Sequence, residues 1–178
     1  EHALAKPLPA PETMELVLAN NSGLTAAGLQ RILTSEVGAS CLARLDMSEC
    51  NLGPTGAALL AGYIRSPSNI LQELSAYRAG LGADGVKDIV QAAAFSSHMH
   101  SLNLTANAQH GSSWAQTVGQ ALAAVLSKAE GLKVVRVSCP EAEIGKAQPL
   151  FDGLPTRVIL VPNEQNNYNR TMFLGHVH

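Results

Sequence analysis

Apolar residues along this chain follow two different spacings, and the two spacings alternate in a fixed order. Between Leu42 and Leu52 an apolar residue stands at every second or third position, which is typical of a short strand with one buried face. From Leu52 through Gly56 to Leu60 the step becomes four, which places the residues on one face of a helix. The pattern therefore predicts a strand followed by a helix within one short segment.

The same strand and helix pattern returns along the chain. The positions equivalent to Leu45 are 29, 29, 28, 33 and 23 residues apart, and they are Leu16, Leu45, Leu74, Leu102, Val135 and Val158. An Asn or Cys follows several of these strands, at Asn21, Cys50, Asn107 and Asn163. An amide at that point is expected to satisfy backbone groups of adjacent turns. A repeat period of 28 or 29 residues predicts an α/β array in which neighbouring repeats share one core.

The repeated pattern L-x-x-L-x-L-x-x-N/C-x-L, followed by x-x-x-G-x-x-x-L, resembles the leucine-rich repeats of the ribonuclease-inhibitor-like subfamily. The match covers residues 14–107 and, in part, 114–163. The resemblance implies a right-handed α/β solenoid, or horseshoe, of about five to six repeats, with parallel strands on its concave face and helices on its convex face. The corresponding limits are a linker or frayed lead-in at 1–13, a repeat domain at 14–163 and a C-terminal tail or cap at 164–178.

Single residues predict local details of this array. Glycine recurs at one helical position, which indicates a close approach of each helix to its neighbour; these glycines are Gly28, Gly56 and Gly85. Pro54 suits the first turn of the second repeat's helix, and Trp114 is predicted to be buried at the start of a later helix. The segment 140–153 contains Gly145 and Pro149, so we expect it to be too interrupted for a full helix.

Residues between the strand leucines point away from the core and form the candidate recognition surface. The predicted protein-binding residues are Arg44, Asp46, Ser48, Glu49, Glu73, Tyr77, Arg78, Asn103, Thr105 and Arg136. Glu49, Tyr77 and Arg78 form the predicted centre, because Tyr and Arg are enriched at interaction hot spots. Two structural alternatives stay open. In the first, the charged residues of alternating sign at the strand starts form a solvated ladder without a binding role. In the second, the Tyr77 ring covers neighbouring strands without contacting a partner.

Composition narrows the range of partners. Hydrophobic residues make up 46% of the chain and charged residues 15%, which is typical of a folded domain rather than a disordered one. The formal net charge is −2 and no block of Lys and Arg occurs, so we expect no nucleic-acid partner. No apolar run approaches the roughly 18 residues of a membrane span. The three cysteines show no pairing pattern, which favours a reducing, cytoplasmic location.

Candidate chemistry is sparse. The common nucleotide-binding, hydrolase, zinc-protease and C-x-x-C motifs do not occur, so we expect neither an enzyme nor a cofactor. His98 and His100 are two positions apart and could share a metal ion, but the sequence offers no third ligand, and we interpret them as loop residues. Cys50 and Cys139 lack an activating base in the sequence, so we interpret both as structural.

These observations favour a protein-protein interaction scaffold or adaptor, and the short array resembles that of actin regulators in the repeat family. Two alternatives stay open. The first is a GTPase-activating protein that resembles the Ran-directed family, in which Arg78 would supply the functional arginine. The second is a structural subunit of a large assembly. The chain begins Glu-His-Ala without a methionine, which suits a fragment or a processed product, and its lead-in offers no clear cap, so we also expect a larger chain or an assembly.

Overall fold

Six strands form one parallel sheet in this computed structural model, which describes residues 13–107 and 113–163. The strands are β1 (Met14–Val17), β2 (Leu42–Asp46), β3 (Glu73–Ser75), β4 (Ser101–Leu104), β5 (Val134–Cys139) and β6 (Arg157–Pro162). Each strand pairs with the next one along the chain, so the order in the sheet is the order in the sequence. The predicted tail at 164–178, and all but the last residue of the predicted lead-in at 1–13, lie outside the described residues.

Helices connect the strands and share one hydrophobic core with the sheet. They are α1 (Ala26–Leu33), α2 (Glu36–Ser40), α3 (Gly53–Arg65), α4 (Gly82–Ala94), α5 (Gln120–Leu126) and α6 (Glu141–Phe151), and a π-helical turn at Ala115–Gly119 leads into α5. Neighbouring helices contact one another along the array. The fold is therefore of the α/β class, as the sequence predicts. In the described part of the chain no helix is long and apolar enough to cross a membrane.

The sheet register pairs equivalent positions of successive segments. One continuous row across the sheet consists of Leu16, Leu45, Leu74, Leu102, Val135 and Val158. These are the six positions that the sequence spacing predicts, so the predicted alignment of the segments is confirmed. The four central members of the row are each 0% exposed, which places them in the middle of the core.

Asn107 illustrates what the amide after a strand does. Its Oδ1 accepts the backbone N–H groups of Ala79 and Leu81, at 2.9 and 3.2 Å, in the segment that follows β3. The predicted bridging of adjacent turns is therefore confirmed at this position. The Nδ2 group of Asn21 donates instead to the carbonyl oxygen of Leu18, at 2.8 Å, within its own turn.

The prediction of an interrupted segment between residues 140 and 153 is wrong, because α6 is one helix of 11 residues. Gly145 and Pro149 are both exposed. Pro149 lacks the N–H that would bond to the carbonyl of Gly145. The helix ends two residues later at Phe151, so the missing hydrogen bond affects only its last turn. Ala147 and Phe151, which are 0% and 5% exposed, pack into the core one turn apart. This burial outweighs the two helix-breaking residues.

The recurring helical glycines have two different physical reasons. A Cβ on Gly85 would lie 2.6 Å from the Cβ of Ala57 in α3, so the predicted close approach of neighbouring helices is confirmed there. At Gly56 and Gly28 that reason is wrong. A Cβ on either residue would instead meet a leucine four positions earlier in the same segment, at 2.5 and 2.9 Å respectively. The glycine makes room for this leucine at the start of the helix.

Two further local predictions are confirmed. Pro54 lies in the first turn of α3, where its missing N–H costs no helical hydrogen bond. Trp114 is 1% exposed and comes directly before the π-helical turn. Its ring lies against Gly119, where an added Cβ would come within 3.2 Å of the indole.

Candidate protein-binding face

The side of the sheet that points away from the core row carries the predicted binding residues, and we name it the polar face. Its central row consists of Val17, Asp46, Ser75, Asn103, Arg136 and Ile159. Arg44 and Glu73 lie side by side in the row that comes before it. The structure therefore brings the predicted strand residues of β2 to β5 onto one continuous surface, as alternation along each strand predicts.

We name the half of the polar face formed by β1 to β3 the open half. It carries charged side chains. Glu15, Arg44 and Glu73 are neighbours in adjacent strands, so the predicted alternation of charge is present. Arg44 Nε lies 3.2 Å from Glu73 Oε1, and the two side chains are 52% and 30% exposed. Such an ion pair contributes about 0.2–1 kcal/mol, because water and salt screen it. Both groups can therefore turn to a partner at small cost.

We name the half formed by the ends of β3 to β5 the closed half. Its side chains are polar but buried. Its members Ser75, Asn103, Thr105 and Ser138 are 2%, 6%, 1% and 3% exposed. Ser75 Oγ lies 2.9 Å from Ser48 Oγ, and Asn103 Nδ2 donates to Ser75 Oγ at 3.4 Å. Thr105 Oγ1 then donates to Asn103 Oδ1 at 2.9 Å. This chain of hydrogen bonds satisfies buried polar groups and fixes the strand ends against one another.

Three of the predicted contact residues belong to the closed half. Tyr77 is 5% exposed, Asn103 is 6% exposed and Thr105 is 1% exposed. The predicted centre of the patch thus keeps its aromatic ring buried, and its more accessible part consists of Glu49 and Arg78. Alternation along a strand predicts the face that a side chain takes, but it carries no information on how deeply that side chain is covered.

Two members of the closed half are absent from the set predicted from the sequence. Ser75 lies in the same row of the sheet as Asp46. Ser138 comes two residues after Arg136, as Thr105 comes two residues after Asn103, which pairs with Arg136. Ser138 Oγ accepts the backbone N–H of Ala106 at 2.7 Å and so joins the end of β5 to the turn after β4. The available signal was the hydroxyl residue that recurs at Ser48, Thr105 and Ser138, whereas Ser75 has no such equivalent in its own row.

Glu49 and Arg78 lie in turns with an unusual backbone. A positive φ recurs at this point of four successive segments, at Asn20 (65°), Glu49 (59°), Arg78 (49°) and Ala106 (60°). This left-handed region costs roughly 1–2 kcal/mol for most residues with a Cβ. The backbone N–H groups of Glu49 and Arg78 donate to the carbonyl oxygens of Tyr77 and Thr105, at 2.7 and 3.0 Å. The pairing between successive segments thus holds both side chains at fixed points on the rim where the strands end.

The cysteines near this rim are buried and poorly suited to nucleophilic chemistry. Burial raises the pKa of the Cys139 thiol to about 11, and the negative charge of Glu143 adds to the rise. Burial is also the main reason why the pKa of Cys50 is raised, and its Sγ donates to the carbonyl oxygen of Leu18 at 3.0 Å. Both thiols are therefore protonated near neutral pH and fill the turn, which agrees with their structural interpretation.

The remaining candidate chemistry is confined to two histidines. His98 is exposed and His100 is half-buried, and both precede β4 on the loop that leaves α4. Within residues 13–107 and 113–163, no three His, Cys, Asp or Glu side chains are grouped so as to hold a metal ion. The geometry of the described residues thus defines an α/β protein whose most distinctive surface is the polar face.

Comparison with known proteins adds no further assignment. No protein-family model matches the chain, and no curated protein matches it either.

Proposed function

We propose that the chain is a right-handed leucine-rich-repeat solenoid of the ribonuclease-inhibitor-like subfamily and that it acts as a protein-protein interaction scaffold. The observation that carries this proposal is the row of equivalent residues across six parallel strands. The left-handed turns at equivalent positions of four successive segments add to it. An array of this kind buries its repeats against one another and leaves one broad face for a partner.

The open half of the polar face is the proposed contact surface. It carries Arg44, Asp46 and Glu73 on paired strands, with Glu49 and Arg78 on the rim. Strands and hydrogen-bonded turns fix the backbone that carries these side chains, so binding a partner orders few additional backbone groups. The closed half supports this surface by linking Ser48 through Ser75 to the strands that follow. Partner recognition and stability are thereby assigned to different parts of one face.

The test compares proteins captured by the full chain with those captured by matched variants. The face variant combines Arg44→Ser, which borrows the residue at the equivalent position Ser101, with Arg78→Gly, which suits the left-handed backbone. The control variant combines Arg31→Ser and Lys128→Ser, which removes two exposed positive charges from the helical part of the array. Both variants lose the same charge, so a difference between them reports position rather than net charge.

We expect a partner that the full chain and the control variant retain and that the face variant loses. Its dissociation constant should rise by about tenfold or more in the face variant, as is usual when a central Arg contact is removed. Equal capture by both variants would contradict the assignment of the open half as the binding surface. Thermal unfolding of each variant checks that folding is unchanged.

Arg78 also supports a second candidate, a GTPase-activating protein. Its side chain is exposed on the turn that follows β3, and the turn is held by the bond from its N–H to Thr105. An arginine supplied to a GTPase in this way accelerates GTP hydrolysis by about 10³-fold or more. A hydrolysis assay with a panel of small GTPases therefore separates the candidates. A scaffold gives no acceleration, whereas an activating protein gives one that Arg78→Gly abolishes.

A further inference from the structure

The end of α4 differs from the ends of four other helices, α1, α3, α5 and α6, while the capping residue of the short helix α2 is Cys41. The capping residues at the C-termini of α1, α3, α5 and α6 are polar, namely Thr34, Ser66, Ser127 and Asp152. The capping residue of α4 is Phe95, which is 66% exposed and is the most exposed large apolar side chain among the described residues. Neither helix capping nor the core requires an aromatic ring at this position.

Phe95 forms one wall of a groove between the ends of α3 and α4. The groove has a volume of about 290 Å³. Its apolar lining consists of Ile64, Pro67, Ala92 and Phe95. It lies beside the loops that enter β3 and β4, whereas the rim residues of the polar face lie where these strands end. It is therefore a separate surface from the proposed scaffold face.

The charged side chain that lines this groove is a cation, Arg65. Arg65 and His98 are both exposed at its edge, and no acidic side chain belongs to its lining among the described residues. The carbonyl oxygens at the end of α3 would bring partial negative charge, but Asn69 Nδ2 donates to those of Ile64 and Ser66 at 2.7 and 2.8 Å. The Arg65 guanidinium therefore meets no carboxylate in this lining.

We infer that this groove docks a peptide segment of a partner protein that carries one bulky apolar side chain next to an acidic side chain. The apolar side chain packs against Phe95 and Pro67, the exposed members of the apolar lining, and the carboxylate pairs with Arg65. An apolar anchor combined with a charge-assisted hydrogen bond gives both contact area and orientation to a short peptide. The inference does not depend on the function proposed for the polar face.

The test is an NMR titration of the full, methyl-labelled chain with three capped peptides. The acidic peptide is Gly-Leu-Glu-Glu-Gly, the basic control is Gly-Leu-Lys-Lys-Gly, and the control without an anchor is Gly-Ser-Glu-Glu-Gly. We expect the acidic peptide to shift the methyl signals of Ile64 and Ala92 with a dissociation constant of about 1 mM, which is typical of one anchor and one ion pair. Each control peptide should bind at least about fivefold more weakly.

Variants make the test specific to the groove. Phe95→Ser installs the residue type of the equivalent caps Ser66 and Ser127, so it should leave Tm unchanged while weakening the acidic peptide by about fivefold. Arg65→Gln should weaken the same peptide to a similar degree, whereas the matched change Arg31→Gln on α1 should have no effect.

Three outcomes would overturn the inference. The first is the absence of methyl shifts with the acidic peptide up to about 10 mM, which would also be the result if another part of the chain filled the groove. The second is equal binding of all three peptides, or unchanged binding in Phe95→Ser. The third is a concentration dependence of the same signals without peptide, which would assign the groove to contact between two copies of the chain.

Discussion

The open and closed halves of the polar face use the same strand positions for opposite purposes. Asp46 and Asn103 occupy one row of the sheet, yet Asp46 lies among charged, accessible side chains, whereas Asn103 is 6% exposed within a hydrogen-bonded chain. A side chain in the closed half is constrained by its partners, and its loss leaves buried groups unsatisfied. A side chain in the open half makes contacts that are more exposed to water, such as the Arg44–Glu73 ion pair, so it can serve recognition at a smaller cost in stability.

The largest contrast is expected between two asparagines, one that follows a strand of the closed half and one that follows a strand of the open half. Asn107→Ala removes the acceptor of two buried backbone N–H groups, at Ala79 and Leu81, and should lower the free energy of unfolding by about 3–5 kcal/mol. Asn21→Ala, at an exposed turn after β1, should cost less than about 1 kcal/mol. Urea denaturation of both variants measures the difference. Equal losses would contradict the division into two halves.

A second contrast lies on the polar face itself. Asn103→Ala leaves the hydroxyl groups of Ser75 and Thr105 without their shared partner and should cost about 1–3 kcal/mol. Glu73→Ala removes only an exposed ion pair with Arg44 and should change the stability by about 0.5 kcal/mol or less. The same denaturation experiment checks this pair. A larger loss for Glu73→Ala than for Asn103→Ala would reverse the roles of the two halves.

A buried carboxylate among the helices, that of Glu143, offers a further contrast with the open half. Glu143 is 4% exposed, accepts from Lys146 Nζ at 2.7 Å and accepts the N–H of Ala115 at 3.3 Å. The hydrogen bond from Lys146 is the main reason why the pKa of Glu143 is lowered, with smaller help from the Ala115 N–H. A lowered pKa means that the folded state favours the charged form, so this stabilisation is present above the ordinary Glu pKa of about 4.3.

Glu143→Gln should therefore lower Tm at pH 7, and the difference from the natural chain should shrink as pH falls below about 4 and through the lowered pKa. The exposed neighbour Glu141→Gln serves as the control for the loss of one negative charge and should lower Tm less at pH 7. A Tm difference that persists unchanged at pH 3 would show that the carboxylate charge is not the cause.

The smallest expected effect tests the left-handed turns of the rim. Arg78→Gly relieves a backbone with φ of 49° but adds chain entropy to the unfolded state, so the stability should stay level or rise by up to about 1 kcal/mol. Arg78→Ala keeps the strained backbone and should be no more stable than the natural chain. Thermal unfolding compares the two variants. A marked loss with Gly would mean that the Arg78 side chain serves stability rather than recognition.

The sequence predicts the layout of the sheet in detail because leucine spacing and strand pairing have the same cause. Leu45 pairs with Leu74 since both must enter one core, and a slip of one residue would expose the whole row. The same logic fails for α6, where Gly145 and Pro149 suggest a break. Local propensity is weaker than the burial of Ala147 and Phe151, and the sequence does not state which of the two effects wins.

The candidate site is less predictable than the fold. Alternation identifies the residues on the polar face, including Arg44 and Asp46, but it does not distinguish the open half from the closed half. That distinction depends on how deeply each side chain is covered, which alternation does not report. Alternation therefore predicts Tyr77 as a contact residue, although it is 5% exposed. The left-handed turn at Glu49 and Arg78 carries no composition signal either, because glycine does not mark it.

Amide hydrogen exchange measured by NMR on the full chain tests the difference between the two halves most directly. In the closed half, the N–H groups of Ala76 and Ala106 donate to the carbonyl oxygen of Asn103 and to Ser138 Oγ, at 2.9 and 2.7 Å, and they should exchange only when the chain unfolds globally. In the open half, the N–H groups of Leu18 and Asn20 donate to Asp46 and Ser48 at 2.7 and 2.8 Å. These should exchange through local opening, about tenfold faster or more. Equal protection of all four amides, or stronger protection of Leu18 and Asn20, would contradict the account.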